Sequence, residues 1–263
     1  MRRGIVALVA LAVIAAGCGG GEERVVVAAG TTLVDSGFVE RVLGQYPAEV
    51  RTSVVAASSR EAFALGSGGS AELMITHLEE AEQEFLAAHP GAEQSPVFTS
   101  EFVLVGPSGE PLAAPDVVAA FRQIAAEGRP FVSRGDGSGT AAREEQLWGL
   151  AGIDPSGETW YIETGQGMGF TLQVADQRDA FTLAEMGTFL AAESITLVPF
   201  IDARQDDRLA NPYRVTLIPE ASEEARSLYH WLLGADGFEA MMAADRELFG
   251  SPIYLPASPG LQQ

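Results

Sequence analysis

The sequence predicts an α/β fold, one large domain or two lobes, in which mostly parallel sheets are flanked by helices. Three observations lead there. The chain has 263 residues, 47% of them hydrophobic, enough to bury a real core. From residue 24 onward, short apolar runs alternate with longer stretches of helical periodicity. A strand, a polar turn and a helix open the body and recur after residue 130, as though a second lobe repeats the first.

The elements follow in order. Arg24 to Ala29 is a continuous apolar run and reads as a buried strand. Gly30-Thr31-Thr32 and Asp35-Ser36-Gly37 then open a helical pattern through Phe38, Val42 and Leu43. Val50 to Ala57 is a second strand, Arg60 to Leu65 a short helix closed by Gly66-Ser67-Gly68-Gly69, and Glu72 to Thr76 a third strand. A charged helix spans Glu79 to Ala88, and Phe102 to Pro107 is a strand leaving this set. A helix runs from Pro115 to Glu127 and stops at Gly128, and Pro130-Phe131-Val132 is a strand. The turn Ser133 to Thr140 precedes a helix carrying Leu147, Trp148 and Leu150. Phe181 to Ala192 reads as helical, Ile195 to Ile201 and Pro212 to Ile218 as strands, and Ser222 to Leu233 and Phe238 to Leu248 as two closing helices. Repeated β-α-β units put ligands at the carboxyl ends of the strands.

The first residues have a different character. Arg2-Arg3 gives a basic start, Ile5 to Ala16 is apolar and uncharged, and small residues lead to Cys18, the single cysteine of the chain. This is the pattern of a secretory signal, and it is shorter than the roughly 20 apolar residues that span a bilayer. One cysteine makes no internal disulfide. Its place after Ala15-Ala16-Gly17 resembles the lipobox of bacterial lipoproteins, with Ala15 where Leu is usual, so residues 1–17 read as the signal and Cys18 as the lipidated residue. Residues 18–24, rich in Gly and Glu, read as the tether.

Charge excludes one class of partner. Against 36 acidic residues stand 16 basic ones, all of them Arg, for a net charge of −20. Loss of Arg2 and Arg3 with the signal takes this to −22. Nucleic acid is captured by clustered positive charge, and no basic run occurs beyond Arg3.

The candidate chemistry lies in the two polar turns. The first contains Thr31 and Thr32, the second runs from Ser133 to Thr140, and each follows a strand and starts a helix. A helix start offers unpaired N–H groups and a partial positive charge. Ser and Thr hydroxyls add neutral donors, and Arg134 adds a planar fork suited to an oxyanion. The bland alternative is that these residues are ordinary helix caps. No phosphate-binding G-x-x-x-x-G-K-[ST], no H-E-x-x-H and no C-x-x-C is present, and Gly165-Gln-Gly-Met-Gly169 departs from the dinucleotide fingerprint. His77, His89 and His230 are far apart in sequence, and only His77 falls at a strand end on the ligand side. Asp136 is awkward beside a dianion, and we expect it to cap the following helix or to pair with an Arg. No triad or carboxylate pair suggests an enzyme.

Four segments together resemble a known family. Thr31-Thr32 with Asp35-Ser36-Gly37, Gly69 to His77, Glu101 to Pro107 and Phe131 to Thr140 are similar to the tungstate-binding lipoproteins of ABC importers. Leu147-Trp148, Trp160-Tyr161, Gly165 to Gly169, Gly187-Thr188 and Asn211-Pro-Tyr213 extend the resemblance over most of residues 25 to 250. It implies a two-lobed periplasmic-binding-protein fold of type II, with lobe I at 25–105 and 203–263, lobe II at 106–202, and crossover strands near Gly106 and Ile201. It implies a receptor that closes on a tetrahedral oxyanion, tungstate in the first instance, with molybdate, phosphate or sulfate as alternatives and a cleft enzyme as a remoter one. Carried over by position, the oxyanion contacts are Thr31, Thr32, Ser59, Arg134, Ser138, Gly139 and Thr140. Here Gly30 stands where the family has Thr, Thr32 where it has Ser, and Ala57-Ser-Ser-Arg60 where Gly-Thr-Gly is commoner. The implied partners are the permease and ATPase of the importer, and the membrane through a lipid on Cys18. No cofactor or resident metal is implied, and the implied location is the cell envelope, outside the cytoplasmic membrane.

Overall fold

The computed structural model describes residues 24–47, 50–109 and 111–257. The signal segment, Cys18 and the tether up to residue 23 lie outside the described residues, while Arg24 already belongs to the first strand.

Strand β1 (Arg24–Gly30) passes into two short helices, α1 (Thr31–Asp35) and α2 (Phe38–Leu43), with Gly37 in the left-handed region between them. β2 (Arg51–Ala57), α3 (Ser59–Ser67), β3 (Leu73–Thr76) and α4 (Glu79–Ala88) follow. β2 and β3 both pair with β1 in parallel, because each connection runs through a helix laid on the sheet. The apolar faces meet in a core of Val25, Val27, Leu33, Phe38, Leu73, Ile75, Tyr213 and Leu217.

β4 (Glu93–Gly106) is a single 14-residue strand that joins the two halves of the molecule. From Glu93 to Glu101 it pairs antiparallel with β9 (Ala210–Leu217), and from Phe102 onward with β7 (Thr182–Glu185) and β8 (Val198–Ile201). Its partners therefore change between Glu101 and Phe102, ahead of Gly106. The chain returns through Asp202 to Leu209 into β9. The second half adds α5 (Val117–Glu127), β5 (Phe131–Ser133), α6 (Gly139–Ala151), β6 (Tyr161–Glu163), α7 (Met168–Gln177) and α8 (Met186–Ala191). Its core gathers Phe102, Phe121, Phe131, Leu147, Trp148 and Phe181. Helices α9 (Glu223–Leu233) and α10 (Ala235–Phe249) and the short β10 (Leu255–Pro256) return to the first half, where β10 pairs with β4.

Several expectations are corrected. The sheets are mixed rather than mostly parallel, since β4 and β9 run in opposite directions between the halves and each strand beside β4 pairs with it antiparallel. The stretch from Phe181 to Ala192 is a strand followed by a helix: Thr182 to Glu185 is buried on both faces beside β4, and the Glu185 carboxylate then caps α8 by accepting from the Thr188 N–H at 3.0 Å. β4 starts nine residues before the expected Phe102, its first half disguised by polar residues and by Pro96. The register shifts between Pro96 and Phe98, as a residue without an N–H requires.

Candidate functional site

The ladder between β1 and β2 aligns Gly30 with Ala57. Two helix starts, Thr31 of α1 and Ser59 of α3, therefore stand side by side at the carboxyl edge of the first sheet. In α3, Ser58 is the cap: its hydroxyl accepts from Glu61 N while Glu61 returns an acceptor to Ser58 N, a capping box. That frees Ser59. Its Oγ is buried and has no hydrogen-bond partner, an expensive condition for a hydroxyl. α1 has no side-chain cap, because Gly30 occupies that position.

The second turn grows out of β5. Gly135 and Gly137 both adopt left-handed backbone and fold residues 134 to 138 back on themselves. Gly165 N donates to Arg134 O at 2.8 Å and Thr164 N to Ser133 O at 3.0 Å, so the glycine-rich stretch at 165–169 acts as a backbone brace for this turn and a start for α7. Arg134 is almost wholly buried, with 3% of its side chain exposed. Its Nε and Nη2 donate to Asp136 Oδ2 at 3.1 and 2.5 Å, and Nη2 also reaches Thr31 Oγ1 at 3.3 Å across the two halves. Asp136 Oδ1 accepts from Ser138 N at 3.1 Å. Asp136 thus pairs with an Arg, one of the two alternatives expected of it, while the cap of α6 is Ser138, whose N–H Asp136 holds. Ser138 caps α6 by accepting from Ala141 N, and Thr140 Oγ1, buried in the first turn of α6, has no partner.

Thr32 behaves differently from its neighbour. Its hydroxyl sits 3.1 Å from Tyr213 OH and its carbonyl accepts from Thr188 Oγ1 at 3.1 Å, so both its oxygens are engaged by protein. His77 ends β3 and stacks on Tyr213 with ring centroids 4.6 Å apart, its Nδ1 2.7 Å from Asn211 Oδ1. Loss of solvation pulls its pKa from 6.5 down to about 4, with the Arg134 and Arg143 charges adding to the effect, so it is neutral near pH 7. The ring lies against the backbone of Gly139, where any Cβ would overlap it. Glu144, one turn beyond Thr140, is buried and accepts from Trp148 Nε1 at 3.1 Å and Tyr161 OH at 2.8 Å; burial raises its pKa to about 7.

The geometry thus places Thr31 against Arg134, sets Ser59 on the adjoining strand end, and carries Ser138, Gly139 and Thr140 on from the Arg134 turn. It offers donors and a charge-balanced guanidinium. Among the described residues no group of three or more His, Cys, Asp or Glu is arranged to hold a metal ion. Sequence reasoning did not find the supporting residues Thr188, Glu144 and Glu185. Thr188 and Glu185 lie far along the chain from the turn they support, and Glu144, although only one turn from Thr140, shows its role only through burial and its partners Trp148 and Tyr161.

The model of the PBP superfamily domain matches residues 19–236. The tungstate-binding protein TupA of Peptoclostridium acidaminophilum is 32% identical over 245 residues, covering 88% of this chain and 85% of the relative. A solved structure described as the tungstate ABC transporter from Geobacter sulfurreducens superposes with TM-score 0.75 at 31% identity, covering 84% of this chain and 99% of that one. The tungstate-binding protein TupA from Desulfovibrio alaskensis G20 gives TM-score 0.75 at 25% identity, over 90% of this chain and 99% of that one.

Proposed function

The chain belongs to the PBP superfamily and, within it, to the tungstate-binding proteins of ABC importers, and from that premise we propose that it captures the tungstate oxyanion in the cleft between its lobes and delivers it to the permease. It is an exported substrate-binding protein, not an enzyme. The finer assignments in our reading are lipidation at Cys18, which would tether the protein at the outer face of the cytoplasmic membrane, and docking on the permease that the ATPase drives.

One observation carries the site assignment. Ser59 Oγ and Thr140 Oγ1 are buried without partners, Ser59 at the start of α3 beside the start of α1, and Thr140 at the start of α6, which follows the turn of the buried Arg134. Such groups are uncommon in a folded protein, and an absent ligand rich in acceptors is the simplest reason for them. A tetrahedral dianion has only acceptors to offer. It takes the two hydroxyls, the Thr31 hydroxyl and Arg134 charge at the lobe junction, and N–H groups at the starts of α1 and α6. The two oxygens of Thr32 brace this set through Tyr213 and Thr188, and its N–H in the first turn of α1 faces the same end of the helix as that of Thr31. Ser138 contributes mainly by capping α6.

Capture follows from differential contact. With the lobes apart, each turn holds part of the donor set, and closure about β4 and the return to β9 completes it and excludes water. Six to eight charge-assisted hydrogen bonds at roughly 1.5 to 3 kcal/mol each can, after ordering costs, supply the about −12 kcal/mol of a nanomolar complex. Because Asp136 is saturated by Arg134 and the Ser138 N–H, it does not need a proton from the ligand, which favours a fully deprotonated oxyanion over hydrogen phosphate. The test is calorimetric titration of the purified protein with tungstate, molybdate, sulfate and phosphate, repeated on Arg134→Ala. Tight tungstate binding with weak sulfate and phosphate, lost in the variant, is expected. Heat with phosphate alone, or none with any of the four, would overturn the assignment.

A further inference from the structure

We infer that Thr188, held by Glu185, is a positioning residue for the oxyanion site: from the second lobe it grips the helix that presents Thr31. The inference rests on the receptor reading above and adds a residue that touches no ligand.

The grip begins at Glu185, the last residue of β7 and fully buried. Its register partner is Phe102, the first residue of β4 to pair with the second lobe. The carboxylate accepts from Ser100 Oγ on the first-lobe side of that changeover, from Thr188 N at 3.0 Å and from Tyr254 OH at 3.1 Å. One side chain therefore binds the crossing strand, the start of α8 and the C-terminal segment. Gly187 lies between Glu185 and Thr188, and Tyr254 packs so closely there that a Cβ on residue 187 would overlap its phenol.

Thr188 passes this fixed point on to α1. Its Oγ1 donates to Thr32 O at 3.1 Å, with Glu185 Oε2 3.3 Å away sharing the same proton. Thr32 is held from a second side by Tyr213 OH on β9, and Ser36 N also donates to its carbonyl at 3.0 Å. A helix of five residues has too few internal hydrogen bonds to hold its own orientation. Thr188 and Tyr213 fix it from outside, and the next residue toward the strand is Thr31, whose hydroxyl meets Arg134. Without the Thr188 hydroxyl, α1 keeps its packing through Leu33 but loses its only side-chain tie from α8 among those described.

Thr188→Val removes the hydroxyl and preserves shape, leaving the backbone bond to Glu185 intact. Tungstate affinity and dissociation rate are measured on the full chain for wild type, Thr188→Val, Thr188→Ser and Ile124→Val. The last shaves a methylene from the distant α5 core and reports what mere loss of stability does. At least tenfold weaker binding in Thr188→Val, mostly from faster release, with Thr188→Ser within about threefold of wild type and Ile124→Val unchanged, is the expected result. Wild-type affinity in Thr188→Val, no rescue by Ser, or an equal loss in Ile124→Val would overturn the positioning role. Failure of the wild type itself to bind tungstate would instead overturn the receptor reading and take this inference with it.

Discussion

At the scale of single residues, an unpartnered hydroxyl makes a distinctive forecast. Truncating a satisfied buried hydroxyl destabilises the fold, because a partner is stranded. Ser59 and Thr140 strand nothing in the protein. Ser59→Ala and Thr140→Ala should therefore leave the thermal midpoint within about 2 °C of wild type while each weakens tungstate binding about five- to thirtyfold, by calorimetry. Two buried titrating groups near these residues pull stability in opposite directions with pH. Glu144 has its pKa raised from 4.5 to about 7, so the unfolded chain releases its proton first and stability falls as pH rises through that window. His77 has its pKa lowered from 6.5 to about 4, so the unfolded chain takes up a proton first and stability falls as pH drops through that window. In wild type the two slopes oppose each other between about pH 4.5 and 6.5. Denaturant melts across that range should show stability tilting upward with pH in Glu144→Gln relative to wild type, and tilting downward relative to wild type in His77→Gln. Of these residues, Arg134, Ser138, Gly139 and Thr140 were legible because one contiguous turn carries them. Glu144 was not, since its meaning comes from burial and from Tyr161 on another strand.

At the scale of elements, legibility followed the same divide. Strands connected by helices, such as β1, β2 and β3, announce themselves as apolar runs with turns between. β7 and the first half of β4 do not, because pairing with a distant strand, not local pattern, makes them strands. The approach of α6 to the end of β3 is likewise a tertiary fact with a testable consequence. Gly139 is the first residue of α6, and its missing Cβ leaves room for the His77 ring. Gly139→Ala suits a helix start in isolation, yet it must push α6 and its donors away from β3 when the lobes close. Tungstate affinity should drop at least tenfold in Gly139→Ala, and the double variant with His77→Ala should recover most of it, because the obstructing ring is gone. Equal losses in single and double variants would place the cost in α6 itself.

At the scale of the whole molecule, the problem is how a chain of net charge −20 collects a dianion. Long-range attraction toward the cleft would need an unbalanced local cation, and Arg134 is neutralised at 2.5 Å by Asp136. Arg143 lies over the Phe102 ring on the far side of Gly139, a single charge against the field of the surface. Net repulsion therefore governs the approach, whereas short hydrogen bonds in a dry cleft govern release. Salt separates the two regimes. The Debye length shrinks from about 30 Å at 0.01 M to about 8 Å at 0.15 M, which screens the surface field but hardly reaches a closed site. The association rate for tungstate should accordingly rise several-fold as sodium chloride goes from 10 to about 150 mM, with the dissociation rate nearly constant, so that affinity improves with salt. Stopped-flow mixing that follows tryptophan emission, to which Trp148, packed on Phe131 of β5, contributes, reads both rates. An association rate that falls with salt would mean that Arg143 and the cleft steer the anion despite the surface, and Arg143→Gln should then remove that dependence.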